Sequence, residues 1–318
     1  MNNIDGVPIF NFNQHLIGGT EYQAKMFHEK ILPIYPKFKN YLCMILPGIN
    51  VEDEYVEKYE GEIIFWMHCL PSQFDEKVSK TFFNGGKISD KIKYVIVPSE
   101  YAKEQFIVET SFPAEKIYVI PNGINILDHN SKKFNNVEKI KIVHNSGHGR
   151  GMIILLNSLK HIKKDFELSI FNDFDPEIYL EDDVLSDPRI TFYGRTPRKT
   201  MYKYIEKSHI HAYPPIFLET FCIAIAESMS AGLLPVYANI GAVPEVAGKN
   251  GLFLENIPMS NEIFDGDLYA EEYAKLLEKA MDMIIENRWD PSEQISRINE
   301  LYNWNTVIKK WQEFHELI

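Results

Sequence analysis

The sequence is short of cysteine, of positive charge and of long apolar runs, and each shortage excludes something. Its three cysteines, Cys43, Cys69 and Cys222, show no metal-ligand spacing and sit in apolar stretches. They read as reduced, buried thiols rather than as a disulfide or zinc framework. Lys and Arg number 33 against 45 Asp and Glu, a net charge of −12. That balance argues against nucleic acid or an anionic membrane as a partner, since both want a basic face. An anionic small molecule must then be held by a few local positive groups. No apolar run approaches the ~18 residues that a membrane span needs. The start, Met1-Asn2-Asn3-Ile4-Asp5-Gly6, lacks the basic and apolar parts of a signal peptide. The expectation is a cytoplasmic protein without stable membrane insertion. Neither glycine-rich stretch has Gly-x-Gly-x-x-Gly spacing, so a dehydrogenase is not expected.

What is present suits two α/β domains. The 318 residues exceed one typical domain of ~150, and 45% hydrophobic content with 17 Tyr and 20 Phe supplies two cores. Apolar runs at 41–46, 63–67, 94–97 and 117–120 are continuous rather than alternating, with helical stretches such as 100–109 between some of them. This pattern marks parallel strands buried on both faces. Residues 8–13 read as a first strand, and Gly18-Gly19 as a tight turn opening a helix at about 21–31. The polar, aperiodic stretch 127–136 is the best boundary. A second sheet then starts at 140–144 and runs into the glycine-rich loop 145–151, followed by a helix over 152–162. Amphipathic spacing gives helices at 268–287 and 305–318.

In such sheets ligands bind off the carboxyl ends of the strands, so residues just after each apolar run are site candidates. His68 is one. Arg150, between Gly149 and Gly151, is the strongest candidate for holding phosphate, because a guanidinium can grip two phosphate oxygens at once. Arg195 and Arg198 are candidates for a second charge. Asp173 and Asp175 invite a metal reading by their spacing, but oxygen-rich loops after strands are common, and no metal is expected.

The organising stretch is 219–232, where Glu219 and Glu227 bracket an apolar run. Thr220 is the predicted N-cap and Gly232 the C-terminal cap of a helix beginning beside Glu219. A helix N-terminus there offers unpaired amides and partial positive charge to a phosphate. After it come a short apolar strand at 233–237 and the sequence Gly241-Ala242-Val243-Pro244-Glu245. This run, with seven residues between its two glutamates, resembles the donor-binding segment of retaining GT4-type glycosyltransferases of the GT-B fold (glycosyl transferases group 1). One departure is Cys222, where the family usually has glycine.

The resemblance runs in GT-B order from residue 18 to residue 311. It implies an α/β, GT-B fold: two Rossmann-like domains with parallel sheets facing an interdomain cleft, and a C-terminal helix crossing back to the N-terminal domain. The acceptor domain is set at 1–135, completed by 303–318, and the donor domain at 136–302. The implied activity is retaining transfer of a sugar from a nucleotide-diphosphate sugar to a hydroxyl acceptor, with no metal or other cofactor. His68 and Glu219 would meet the transferred sugar. Gly18, Gly19, Arg150 and the amides of Phe221, Cys222 and Ile223 would take the diphosphate, Glu227 the ribose, and Tyr193 with Arg195 the region of the base. Acceptor choice would lie with 14–16 and 73–91. Two alternatives stand beside this reading: a catalytically inactive GT-B binding or scaffold protein, and another GT-B enzyme such as a nucleotide-sugar epimerase.

Overall fold

The continuous apolar runs become parallel strands with both faces covered. In the computed structural model, which describes residues 3–4, 7–8, 18–46, 60–73, 89–147, 149–172, 184, 186–248, 250–255 and 266–318, Ile63–Met67, Ile210–Tyr213 and Leu234–Ala238 are buried at every position. A strand shielded on two sides has no polar face to alternate with, so its sequence loses the period of two. The chain divides into two units, Met1–Gly123 with Tyr302–Ile318, and Ile124–Leu301.

The first unit holds a small hairpin, β1 (Asn3–Ile4) with β2 (Val7–Pro8), and a four-stranded parallel sheet. That sheet runs in chain order, β3 (Leu42–Leu46), β4 (Ile63–Met67), β5 (Ile92–Val97) and β6 (Ile117–Val119). Helix α1 (Gly19–Lys30) follows the Gly18 turn. Helix α2 (Glu100–Thr110) is capped by Ser99, whose hydroxyl accepts from the Ala102 amide. The chain's last helix belongs here too: Val307, Trp311 and Phe314 share one core with Phe27, Phe38 and Trp66. Trp311 sits 4.8 Å from Phe27 and 4.9 Å from Trp66, ring centre to ring centre. The predicted strand at 8–13 falls mostly outside the described residues.

The second unit is a six-stranded, all-parallel sheet: β7 (Ile140–His144), β8 (Phe166–Ile170), β9 (Ile190–Phe192), β10 (Ile210–Tyr213), β11 (Leu234–Ala238) and β12 (Leu252–Leu254). Their spatial order is β12-β11-β10-β7-β8-β9. The chain builds outward from β7 to β9, then returns to lay β10 on the other flank of β7. In open sheets of this kind the loops leaving the two strands at the reversal diverge and open a crevice at their carboxyl ends. Those loops are 145–151 and 214–222. The helices are α3 (Met152–Leu159), α4 (Arg198–Ile205), α5 (Ile223–Ser230), α6 (Val243–Ala247), α7 (Gly266–Ile285) and α8 (Ser292–Tyr302), with the last helix being α9 (Trp304–Leu317).

Three features differ from expectation. The second unit already begins at Ile124, because the supposed linker is tied down: the Leu127 amide donates to Ser230 Oγ at 3.0 Å, and Lys133 Nζ to the Ala231 carbonyl at 2.9 Å. The motif sequence at 241–245 leads into α6, a helix that the sequence did not suggest, five residues with proline in its first turn and Gly248 in the left-handed region at its end. It is too short to show a period. Helix α8 was not anticipated; it buries Gln294 and Ile298, and Gln294 donates to the carbonyls of Met229 and Leu233.

Candidate functional site

The two reversal loops of the second unit are pressed together at their backbones. Gly151 has φ +78°, and a Cβ there would lie 1.5 Å from the Pro214 carbonyl oxygen. Only glycine fits, on conformation and on space. A β-carbon on Gly241, at φ +60°, would come within 2.6 Å of the Glu219 carbonyl oxygen, and the Ala242 amide donates to that oxygen at 2.8 Å. The Glu219 backbone is thus held against the Gly241–Ala242 turn. Gly147 and Gly149 are different: an added Cβ would meet nothing within 4 Å among the described residues.

Across this junction Arg150 Nε pairs with Glu219 Oε1. The guanidinium lies over the Phe217 ring, 3.8 Å from its centre, a cation–π contact that fixes its plane. Tyr213, at the end of β10, donates its hydroxyl to the same Glu219 oxygen at 2.7 Å. Glu219 is 9% exposed. Tyr213 is fully enclosed, and burial together with Cys222 and Glu219 nearby raises its pKa well above the ordinary phenol value, so it stays a donor at neutral pH.

Helix α5 corrects one expectation. It begins at Ile223, with Cys222 rather than Thr220 at the N-cap position. Residues 219–222 are irregular backbone that turns into the helix through Cys222 at φ +82°, ψ 78°. That left-handed conformation costs an L-residue roughly 1–2 kcal/mol and explains why glycine suits the position. The Cys222 thiol is 6% exposed, and burial pushes its pKa well up, so it is a protonated packing group and no nucleophile. Gly232, at φ +82°, follows the C-cap Ala231 as expected.

Glu227 lies in α5 and is 1% exposed. Arg198 Nη1 donates to Glu227 Oε1 at 3.0 Å and the Tyr202 hydroxyl donates to it at 2.7 Å, while the Asn125 side-chain amide donates to the Tyr202 oxygen at 3.0 Å. Burial raises the carboxyl above its ordinary pKa, and Arg198, Tyr202 and the Asn125 backbone amide pull the other way. Arg198 is therefore committed to Glu227 rather than to a second phosphate charge.

The other predicted residues are spread more widely. Tyr193 follows β9, is 36% exposed, and stacks on Phe171 at 4.7 Å with the rings 8° from parallel. Arg195 is exposed two residues on. Gly18, Gly19 and His68 belong to the first unit. The Glu21 carboxylate bends back over Gly18, filling the place where a Cβ would stand. Burial lowers the His68 imidazole to about 3, so it is neutral at physiological pH, and its ring lies 5.0 Å from that of Trp66. Asp173 and Asp175 lie outside the described residues. Among the described residues no group of three or more His, Cys, Asp or Glu is placed to hold a metal ion.

Sequence reasoning missed Tyr213, Tyr202 and Phe217. They were indistinguishable from core aromatics, and only the return of β10 beside β7 brings them to the charged groups. The glycines at 151 and 241 carried a usable signal, a small residue on either side of a loop.

The two units, the parallel sheets and the closing helix define the GT-B class, and solved structures bear this out. The chain superposes on Anabaena HepE in complex with UDP-glucose with a TM-score of 0.66 at 15% identity, covering 88% of this chain and 79% of that one. A glycosyltransferase from Rickettsia africae gives 0.67 at 15% identity, covering 97% and 83%. Residues 142–278, the segment that carries Arg150, Glu219 and Glu227, match the family model described as Glycosyl transferases group 1. Curated relatives include a phosphatidylinositol N-acetylglucosaminyltransferase subunit of Arabidopsis thaliana, 22% identical over 229 residues, 69% of this chain and 48% of the relative. Its Homo sapiens namesake is 24% identical over 235 residues, 71% and 46%. The chain spans about half the length of these relatives. No described helix is long and apolar enough to cross a membrane.

Proposed function

We propose that this protein transfers a sugar from a uridine diphosphate sugar to a hydroxyl acceptor, with retention of anomeric configuration and without a metal ion. The observation that carries the reading is the meeting of Arg150 and Glu219 at the carboxyl ends of β7 and β10. A cation for a diphosphate and a carboxylate for sugar hydroxyls stand side by side where the sheet order reverses. The glycines at 147 and 149, beside which the described residues leave open space, leave room for a phosphate to approach the backbone. HepE, solved with UDP-glucose, and the relatives named as N-acetylglucosaminyltransferase subunits support a UDP-activated donor. Those names also make a phosphatidylinositol-type lipid the first acceptor to try. The first unit's His68 and its Gly18-Gly19 turn are proposed donor contacts on the strength of the motif alone, as is Glu227 for the ribose.

No protein nucleophile is assigned. The acceptor hydroxyl attacks on the face from which the diphosphate departs, and a donor phosphate oxygen takes the hydroxyl proton. Arg150, the amides at the start of α5 and that helix's dipole stabilise the departing negative charge, which gives the rate acceleration a preorganised electrostatic origin. Tyr213 holds Glu219 oriented throughout.

The test is turnover of UDP-sugars against a panel of hydroxyl acceptors, including phosphatidylinositol vesicles, with the product anomer read by NMR. Expected are transfer with the donor's own configuration, unchanged activity in chelator, and a loss of at least tenfold for Glu219→Gln. Sugar rearrangement with no acceptor present would favour the epimerase reading. Donor binding without any turnover would favour the scaffold reading, to which the engagement of both glutamates by protein partners lends some weight.

A further inference from the structure

Both glutamates of the spaced pair are held by one arginine and one tyrosine, but the two arrangements differ in a way that assigns them different work. Glu219 is bound by Arg150 and Tyr213, and Glu227 by Arg198 and Tyr202. The Glu227 side chain is 2% exposed, and Arg198 is 21% exposed. The Glu219 side chain is 12% exposed and its partner Arg150 31%. Glu227 is further locked by the Asn125 backbone amide and by Asn125's bond to Tyr202. The outer pair can exchange partners with a ligand, and the inner pair is fixed.

We propose that Glu219 gates Arg150: its carboxylate and the donor's diphosphate compete for one guanidinium, and arrival of the diphosphate releases Glu219 to the sugar. The inference rests on the donor site described above and adds to it a coupling between its two halves. A diphosphate brought beside Arg150 carries its charge next to an ionised carboxylate, and like charges at this range repel strongly where solvent is scarce. The guanidinium cannot serve both anions at full strength. When it turns to the phosphates, Glu219 keeps its Tyr213 hydrogen bond and the Ala242 amide's bond to its carbonyl oxygen. It loses only its cation. The carboxylate then needs new donors, and sugar hydroxyls supply them. A nucleoside diphosphate without its sugar breaks the pair and offers Glu219 nothing in return. The gate thus selects loaded donor over spent product, and it releases Arg150 fully only when a sugar arrives with the phosphates.

The expected signature is opposite in sign for the two ligands. Isothermal titration of UDP and of UDP-glucose into wild type, Glu219→Gln, Arg150→Ala and the double variant, with the thermal midpoint of each as a folding check, is the test. Glu219→Gln should bind UDP about tenfold more tightly than wild type, and its preference for a UDP-sugar over UDP should fall. The gain should vanish in the double variant with Arg150→Ala. Glu219→Ala serves the same purpose if the glutamine variant is unstable. UDP binding by the wild type with no gain on removing the Glu219 charge overturns the gate and leaves the donor site standing. No UDP binding by either protein overturns the gate and the donor reading together.

Discussion

Cys222 shows how one residue can bear a constraint that its own chemistry does not explain. Its φ of +82° turns the chain into α5, and its buried, protonated thiol packs without reacting. A backbone in the left-handed region favours glycine, while a β-branched side chain there is a true outlier. Cys222→Gly should therefore keep or raise the thermal midpoint, with strain relief of roughly 1 kcal/mol set against the loss of a small buried side chain. Cys222→Val should lower it clearly. A valine variant as stable as the glycine variant would mean that the backbone is not strained at this point. Gly151 sits at the far end of the same scale, where conformation and the Pro214 carbonyl both forbid a side chain.

At the scale of elements, α5 is fixed by what its polar residues hold rather than by capping. Glu227, Ser230 and the Ala231 carbonyl grip Asn125, Leu127 and Lys133, all in the segment that opens the second unit. Removing a buried carboxylate that accepts charged and neutral hydrogen bonds costs about 1–3 kcal/mol. Glu227→Ala should accordingly lower the midpoint of chemical denaturation, and Tyr202→Phe should lower it by less. An unchanged midpoint in both would show that the network does not anchor the segment. This is also where legibility in the sequence ran out. The strands were readable because double burial erases alternation, and Arg150 and Glu219 stood out as candidates because glycines flank the one and prolines precede the other. The linker was misread because polar residues look alike whether they face water or bind a helix end, as Lys133 does at the Ala231 carbonyl. The start of α5 was misplaced because Thr220 is a good cap by type, whereas the observed turn depends on a positive φ that composition does not reveal.

At the scale of the whole molecule, burial holds four of the described histidines neutral: His144, His209 and His211 are enclosed and His68 is partly so. Burial lowers His68 and His211 to about 3 and His144 and His209 to about 4, all from an ordinary 6.5. In the unfolded chain each takes a proton near pH 6.5, and the folded chain refuses it until far lower. Unfolding therefore takes up protons between about 4 and 6.5, and stability must fall as pH falls through that window. The slope should approach about 1.4 kcal/mol per pH unit for each histidine once pH is well below 6.5. Denaturant titrations between pH 7 and pH 5 measure it, and His211→Gln should make the slope shallower. Stability that stays level across that range would mean that these imidazoles are not shielded.

In the function proposed above, the reversal of the second sheet between β7 and β10 builds a donor site with Arg150 at its centre. Titration of UDP-glucose and UDP-N-acetylglucosamine into the wild type and into Arg150→Ala addresses it directly. Loss of a charge-assisted contact to phosphate is worth about 1.5–3 kcal/mol, so the wild type is expected to bind and the variant to lose at least tenfold in affinity. Equal affinity in the two proteins would contradict it.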